Sequence, residues 1–258
     1  MVGEQLSILV LTEDSSSSAE ATLEALSKKM VRLVDPCCKT QSSAIRFEPA
    51  DDRAKSAARA NRWKSRQCRD QQASRALIRT ITNHLLQQSP PGFVFFHFDG
   101  DRPWSERAHS ENLKRFGEVI EGPVLAALRF HCKQAERDLD ESAPETKLIR
   151  IVPFYSIEAW LLQNTRAARR LLKKTGGCRQ ADSALLDAWK ADPSLLDELS
   201  KPKEQICLGA RFNKELASSA FPAKKVERVR KSFALVVDSM RACQPLVDAL
   251  RTTWEQQA

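Results

Sequence analysis

Phe93 to Phe98 (FVFFHF) form a run broken only by His97, and the run leads directly into Asp99-Gly100-Asp101. Pro90-Pro91-Gly92 stops any helix on its upstream side. An apolar run this short, without helical spacing, predicts a strand buried on both faces. Two other segments have the same design. Leu6 to Leu11 (LSILVL) leads into Thr12-Glu13-Asp14, and Leu148 to Val152 (LIRIV) leads through Pro153-Phe154-Tyr155-Ser156 to Glu158. A fourth, short strand is expected near Ala44 to Phe47. Strands covered on both faces belong to parallel sheets with helices above and below.

The segments between the strands supply those helices. Ser17 followed by Glu20 is spaced as a capping box, and Leu23, Leu26, Met30 and Leu33 then recur at helical intervals. Arg53 to Leu86 contains neither Pro nor Gly, which predicts one long helix or a helical pair. Arg107 to Arg137 reads as helix interrupted near Gly122-Pro123, and 138–146 as a polar loop. Ser156 is expected to cap a helix over Ile157 to Leu162. The rest reads as helices broken at Gly176-Gly177, Pro193, Pro202 and Pro222. The expected fold is α/β, with a mainly parallel central sheet flanked by helices and a helical C-terminal extension. Residues 1–165 form the α/β domain, with a basic helical insertion at about 50–90. Residues 166–258 form a helical C-terminal region packed on it.

Open parallel sheets bind ligands beyond the carboxyl ends of their strands. Here those ends bring Glu13 (with Asp14 beside it), Asp99, Asp101 and Glu158. Carboxylates crowded at one edge repel each other unless a cation neutralises them. A dense set of hard oxygens suits Mg²⁺ or Mn²⁺. In extended chain Asp99 and Asp101 point the same way. Gly100 allows a tight turn or a close approach to phosphate. Asp-x-Asp is common in ordinary turns, and Glu13 in the matching place after the first strand gives this one weight. Glu158 has a second reading, as an N-terminal carboxylate favoured by the helix dipole. His97, set among large apolar residues, reads as a core histidine, and Glu106 and Glu111 as surface acids. No glycine-rich phosphate loop is present.

The chain carries 41 Lys and Arg against 33 Asp and Glu, an excess of +8 that suits a polyanionic partner. Arg59, Arg62, Lys64, Arg66 and Arg69 are the candidates for nucleic-acid contact, with the solvated face of a helix as the competing reading. Trp63 among them is a base-stacking platform or a packing residue. Further clusters are Arg166, Arg169, Arg170, Lys173 and Lys174, and Lys224, Lys225, Arg228, Arg230 and Lys231. Seven cysteines, an odd number without a Cys-x-x-Cys pair, predict free thiols. No stretch approaches the ~18 apolar residues of a spanning helix, and Glu4 precedes the first apolar run where a signal peptide would be basic. A cytoplasmic protein without membrane contact is expected.

A strand ending in Glu13, a helix, a later strand ending in Asp99-x-Asp101, and Glu158 in a following helix together resemble a TOPRIM domain. Pro153 to Leu162 (PFYSIEAWLL) is similar to a segment of small stand-alone TOPRIM-like proteins of bacteria, related to the OLD nucleases. The resemblance continues weakly through Lys201-Pro202-Lys203-Glu204, Arg211-Phe212-Asn213-Lys214 and Cys243-Gln244-Pro245-Leu246. It spans most of the chain, although its specific motifs cover only a small part. It implies Mg²⁺- or Mn²⁺-dependent phosphodiester hydrolysis, by an effector in anti-phage or mobile-element defence. Glu13 is then a metal ligand or general acid–base, Asp99 and Asp101 are metal ligands, and Glu158 holds a second ion. Lys203 stabilises transition-state charge, with Lys201, Arg211 and Lys214 as rivals. The resemblance also implies nucleic acid as partner and an ATPase encoded at the same locus; a homo-oligomer is compatible with it. One departure stands out: Asp14 occupies the place where the family carries glycine. It favours the alternative of a catalytically inactive nucleic-acid-binding or assembly subunit.

Overall fold

Four strands, β1 (Leu6–Thr12), β2 (Ile45–Pro49), β3 (Gly92–His97) and β4 (Leu148–Ile151), pair in the order β2-β1-β3-β4, every neighbour parallel. The structure is a computed structural model that describes residues 6–36, 45–59, 63, 68–134, 147–176, 180–218 and 220–255. The chain leaves β1 through helix α1 (Ala19–Val34) and returns beside it as β2. It then passes through α2 (Asp52–Ala58) and α3 (Cys68–Leu85) and takes up the other side of β1 as β3. The direction of winding therefore reverses between β1 and β3. In a Rossmann-like sheet that reversal opens a crevice at the carboxyl ends of the two strands. Their register is level there, with Thr12 opposite His97.

Alternation along the strands divides the core in two. Ile8, Val10, Phe93, Phe95, Ile149 and Ile151 face one layer, and Leu9, Leu11, Val94, Phe96 and Leu148 the other. The second layer is closed by α2, α3, α4 (Glu111–Phe116) and α5 (Gly122–Gln134). Trp63 is fully buried in it, edge-on to Phe96, Phe98 and Phe116 at centroid distances of 5.5–6.1 Å. The first layer is closed by α1 and by helices following β4. These are α6 (Glu158–Leu161), α7 (Thr165–Lys174), α8 (Gln180–Ala191), α9 (Asn213–Ser218), α10 (Ala223–Arg228), α11 (Ser232–Ala242) and α12 (Gln244–Glu255). Leu172, Leu216, Phe233, Val237 and Leu250 share one continuous core with Leu6, Leu23 and Met30. Each such side chain removed from water contributes about 1.5–3 kcal/mol. Among the described residues no helix is long and apolar enough to cross a membrane. Cys132, Cys207 and Cys243 are free thiols.

Several local expectations change. Of the two arrangements expected for Arg53–Leu86, the structure takes the helical pair, α2 and α3; the changes lie elsewhere. Ser17 and Glu20 do not form a capping box. The helix starts at Ala19, and Ser18 makes no side-chain cap; its hydroxyl donates to Ala210 O. Glu20 is drawn instead to cations of the α2 segment, Lys55 at 3.0 Å and Arg59 at 2.9 Å. Gly122-Pro123 does not break its helix. Pro123 cannot donate to the carbonyl four residues back, and a wider π turn over Gly117–Glu121 precedes it, so the chain continues helically from Glu111 to Gln134. Ser156 does not cap α6: its hydroxyl makes no cap bond, and the Ile157 N–H is taken by Asp99 Oδ1, just beyond β3, at 3.3 Å. The polar loop at 138–146 and the Ala44 end of the second strand lie outside the described residues.

Candidate functional site

The switch-point crevice gathers the acids that follow β1 and β3. Glu13 N–H continues the ladder by donating to His97 O at 3.0 Å. The Glu13 carboxylate returns across the crevice, where Oε1 accepts the Asp99 N–H at 2.6 Å. Asp14 turns back on its own loop, accepting from Ser16 N–H at 2.8 Å and Ser16 Oγ at 3.0 Å. Its backbone N–H donates to Thr12 Oγ1, which lies 2.9 Å from His97 Nδ1. His97 Nε2 lies 3.4 Å from Asp99 Oδ1, so the buried imidazole bridges the ends of both strands. Burial pushes the His97 imidazolium down, but Asp99, then Glu13 and Asp14, outweigh it and hold the ring above its ordinary value.

The C-terminal half supplies the cation. A short turn, Pro202–Glu204, brings Lys203 Nζ to 3.2 Å from Glu158 Oε1. Asn213 Nδ2, at the start of α9, donates to the same oxygen at 3.2 Å. Burial pushes the Glu158 carboxyl up, but Lys203 and Asn213 outweigh it and hold it below the ordinary range. Burial likewise pushes Lys203 down, but Glu158, with Asp14 and Asp99 adding to it, holds the ammonium above its ordinary value. One lysine therefore feels three carboxylates delivered by three different strand ends. Glu158 is 5% exposed, whereas the side chains of Asp99 and Lys203 are 40% and 47% exposed and open to a ligand.

Asp101 stands apart. Oδ1 accepts from Ser110 Oγ at 2.5 Å, and Oδ2 accepts from the N–H groups of Glu111 at 3.0 Å and Asn112 at 3.3 Å. The carboxylate thus tethers the first turn of α4, where the helix dipole favours it. Gly100 approaches protein rather than open space. A Cβ there would lie 2.0 Å from Phe154 O and 2.5 Å from Pro153 O. The Asp99–Asp101 loop is therefore pressed against the segment that carries Glu158.

Of the residues singled out from the sequence, Glu13, Asp99, Glu158 and Lys203 come together, and Asp101 turns toward α4. Arg59 is ion-paired with Glu20. Arg62, Lys64, Arg66 and the side chain of Arg69 lie outside the described residues. His97 belongs to the cluster as well as to the core. Its signal was present: residues two apart in a strand share a side, so His97 and Asp99 point together. Asn213 carried no such signal beyond the Arg211–Lys214 stretch of the resemblance.

The donors are carboxylate oxygens, the type that Mg²⁺ and Mn²⁺ take. Among the described residues no three His, Cys, Asp or Glu side chains converge as a ready-made metal site. That arrangement is compatible with Mg²⁺, which keeps several waters and commonly needs only one or two protein carboxylates. Glu13 and Asp99, tied to each other across the crevice, meet that requirement. No family model matches the chain, and comparisons with curated proteins and with solved structures return no match.

Proposed function

We propose that the chain is a TOPRIM-like, Mg²⁺- or Mn²⁺-dependent nuclease that hydrolyses phosphodiester bonds in nucleic acid. The observation that carries this reading is the convergence of Glu13, Asp14 and Asp99 with Lys203 at the switch point of a parallel sheet. Glu13 and Asp99 would hold the ion. When bound, the ion activates water and neutralises charge on the phosphoryl oxygens. Lys203 contacts a phosphate oxygen and stabilises the charge that develops in the transition state. Glu158 and Asn213 position Lys203. His97 fixes the orientation of Asp99, and Asp101 fixes the loop through α4. The setting in anti-phage or mobile-element defence, and an ATPase partner, rest on the family resemblance alone.

A second reading is a catalytically inactive nucleic-acid-binding or assembly subunit. Asp14 in the family's glycine position favours it, as does the lack of three converged ligands among the described residues. Purified protein is incubated with circular single-stranded DNA, supercoiled plasmid and RNA, with Mg²⁺, Mn²⁺ or EDTA. The nuclease reading expects metal-dependent cleavage that Glu13→Gln with Asp99→Asn abolishes. Full cleavage by that double variant refutes it. Tight, metal-independent binding without cleavage establishes the second reading.

A further inference from the structure

Between α7 and α8 runs a groove of about 660 Å³, lined by Arg166, Arg169, Arg170, Lys173 and Lys190 with a single acid, Asp187. Asp187 is already paired with Arg169. Arg166, Arg170, Lys173 and Lys190 are exposed and form no ion pair among the described residues. We propose that this groove is the track that holds the phosphate backbone of a nucleic-acid strand leading to the Glu13–Asp99–Lys203 site. The inference rests on the nuclease reading above and gives its substrate a path.

Amphipathicity alone accounts for cations pointing outward here, since Ala167, Ala168, Leu171 and Leu172 fill the buried face of α7. It does not account for the lack of compensating acids. The first turn of α7 contains no acidic residue and instead carries Arg166, where the helix dipole disfavours a cation. The α1–α2 face differs in this respect: Glu20 neutralises both Lys55 and Arg59, and Glu24 pairs with Lys28. Four unbalanced cations in one groove lose stability through mutual repulsion, and a polyanion removes that cost. Arg166, Arg170 and Lys173 lie on one helix face and span about 10 Å along its axis. They supply a row of phosphate contacts rather than a point site.

The groove also has the right origin. Asn164 caps α7, and its Nδ2 donates to Leu216 O of α9 at 2.9 Å. Three residues earlier on α9, Asn213 holds Glu158. The row of cations thus begins two residues after Asn164, whose amide is tied to α9, the helix whose Asn213 holds Glu158. The insertion cation Arg59 does not offer this, because Glu20 already holds it.

The test is equilibrium binding of fluorescently labelled single-stranded and duplex oligonucleotides to full-length protein. It is run in EDTA and in the Asp99→Asn background, so that no cleavage occurs. Failure of the nuclease reading then leaves the binding result interpretable. Arg166→Ala, Arg170→Ala and Lys173→Ala combined are expected to weaken binding roughly tenfold or more near physiological salt. The slope of log K against log salt should become shallower by about 2 to 3. The Arg166→Lys, Arg170→Lys variant should keep the parent slope, because charge rather than guanidinium geometry sets it. Arg59→Ala should change affinity less than about twofold. Unchanged affinity and slope in the triple alanine variant, with circular dichroism showing it folded, would overturn the proposal. So would loss of binding to polyglutamate alone, which would assign the groove to an acidic protein.

Discussion

Replacing Asp197 by Asn removes a buried charge whose cost can be read from its surroundings. Asp197 is 1% exposed in the turn Pro193–Glu198. Its Oδ1 accepts from Ser232 Oγ, and Ser232 Oγ in turn accepts the Trp160 Nε1–H at 2.7 Å. Its Oδ2 has no hydrogen-bond partner among the described residues. Burial pushes the carboxyl up to about 6 from an ordinary 3.8, although Ser232 and Lys231 oppose the rise. A displacement of that size corresponds to about 3 kcal/mol between the protonated and charged forms. The sign follows from proton binding. Between these two values the folded state holds a proton that the unfolded state has released. The stabilisation is therefore fully present below pH 3.8 and is lost as pH rises through about 6. Urea unfolding of wild type and Asp197→Asn from pH 4 to pH 8 isolates this effect, because other titrating groups cancel in the difference. Wild type should lose a little over 2 kcal/mol relative to the variant across that range, the remainder of the ~3 kcal/mol being lost below pH 4, with no further divergence above about pH 7. Parallel stability profiles for the two proteins would refute the argument. So would a wild type that gains on the variant with rising pH.

Three further outcomes are expected. Gly100→Ala forces a methyl group onto the Phe154 carbonyl, a backbone atom that cannot rotate away. It should cost about 3 kcal/mol or more in thermal unfolding, and a change within about 0.5 kcal/mol would contradict the packing described. Trp63→Ala empties the centre of the Phe96, Phe98 and Phe116 cluster and should cost about 3–5 kcal/mol by urea unfolding; a surface stacking residue would cost little. Glu158→Gln should lose about 1–2 kcal/mol, a figure reduced because Lys203 is nearly half exposed. Because Glu158 titrates below its ordinary 4.5 when folded, that loss should be present above this pH and vanish as pH falls through the folded value. A pH-independent loss would show that shape, not charge, sustains the pair.

The sequence by itself determined the layers. Short, near-continuous apolar runs without helical spacing suit strands covered by helices on both faces. Leu6–Leu11, Phe93–Phe98 and Leu148–Val152 all became strands of the sheet, with ends shifted by one residue, and β1 and β3 are buried along their whole length. Local chemistry also placed the acids, because Glu13, Asp99 and Glu158 stand next to the strand ends that carry them. Direction was another matter. Asp99 and Asp101 are equivalent in the sequence, yet Asp99 joins Glu13 and His97 while Asp101 caps α4. The N-terminus of a helix ten residues downstream made that choice. Tertiary contact likewise moved Glu20 from its own helix cap to Lys55 and Arg59. It also buried Trp63 within a stretch otherwise rich in cations. The Lys203–Glu158–Asn213 contact joins residues 45 and 55 positions apart. Backbone preference and hydrophobic period act over a few residues, so they set elements and their ends. Side-chain pairing depends on which surfaces meet in space, and only the folded arrangement of strand order, register and helix placement decided it.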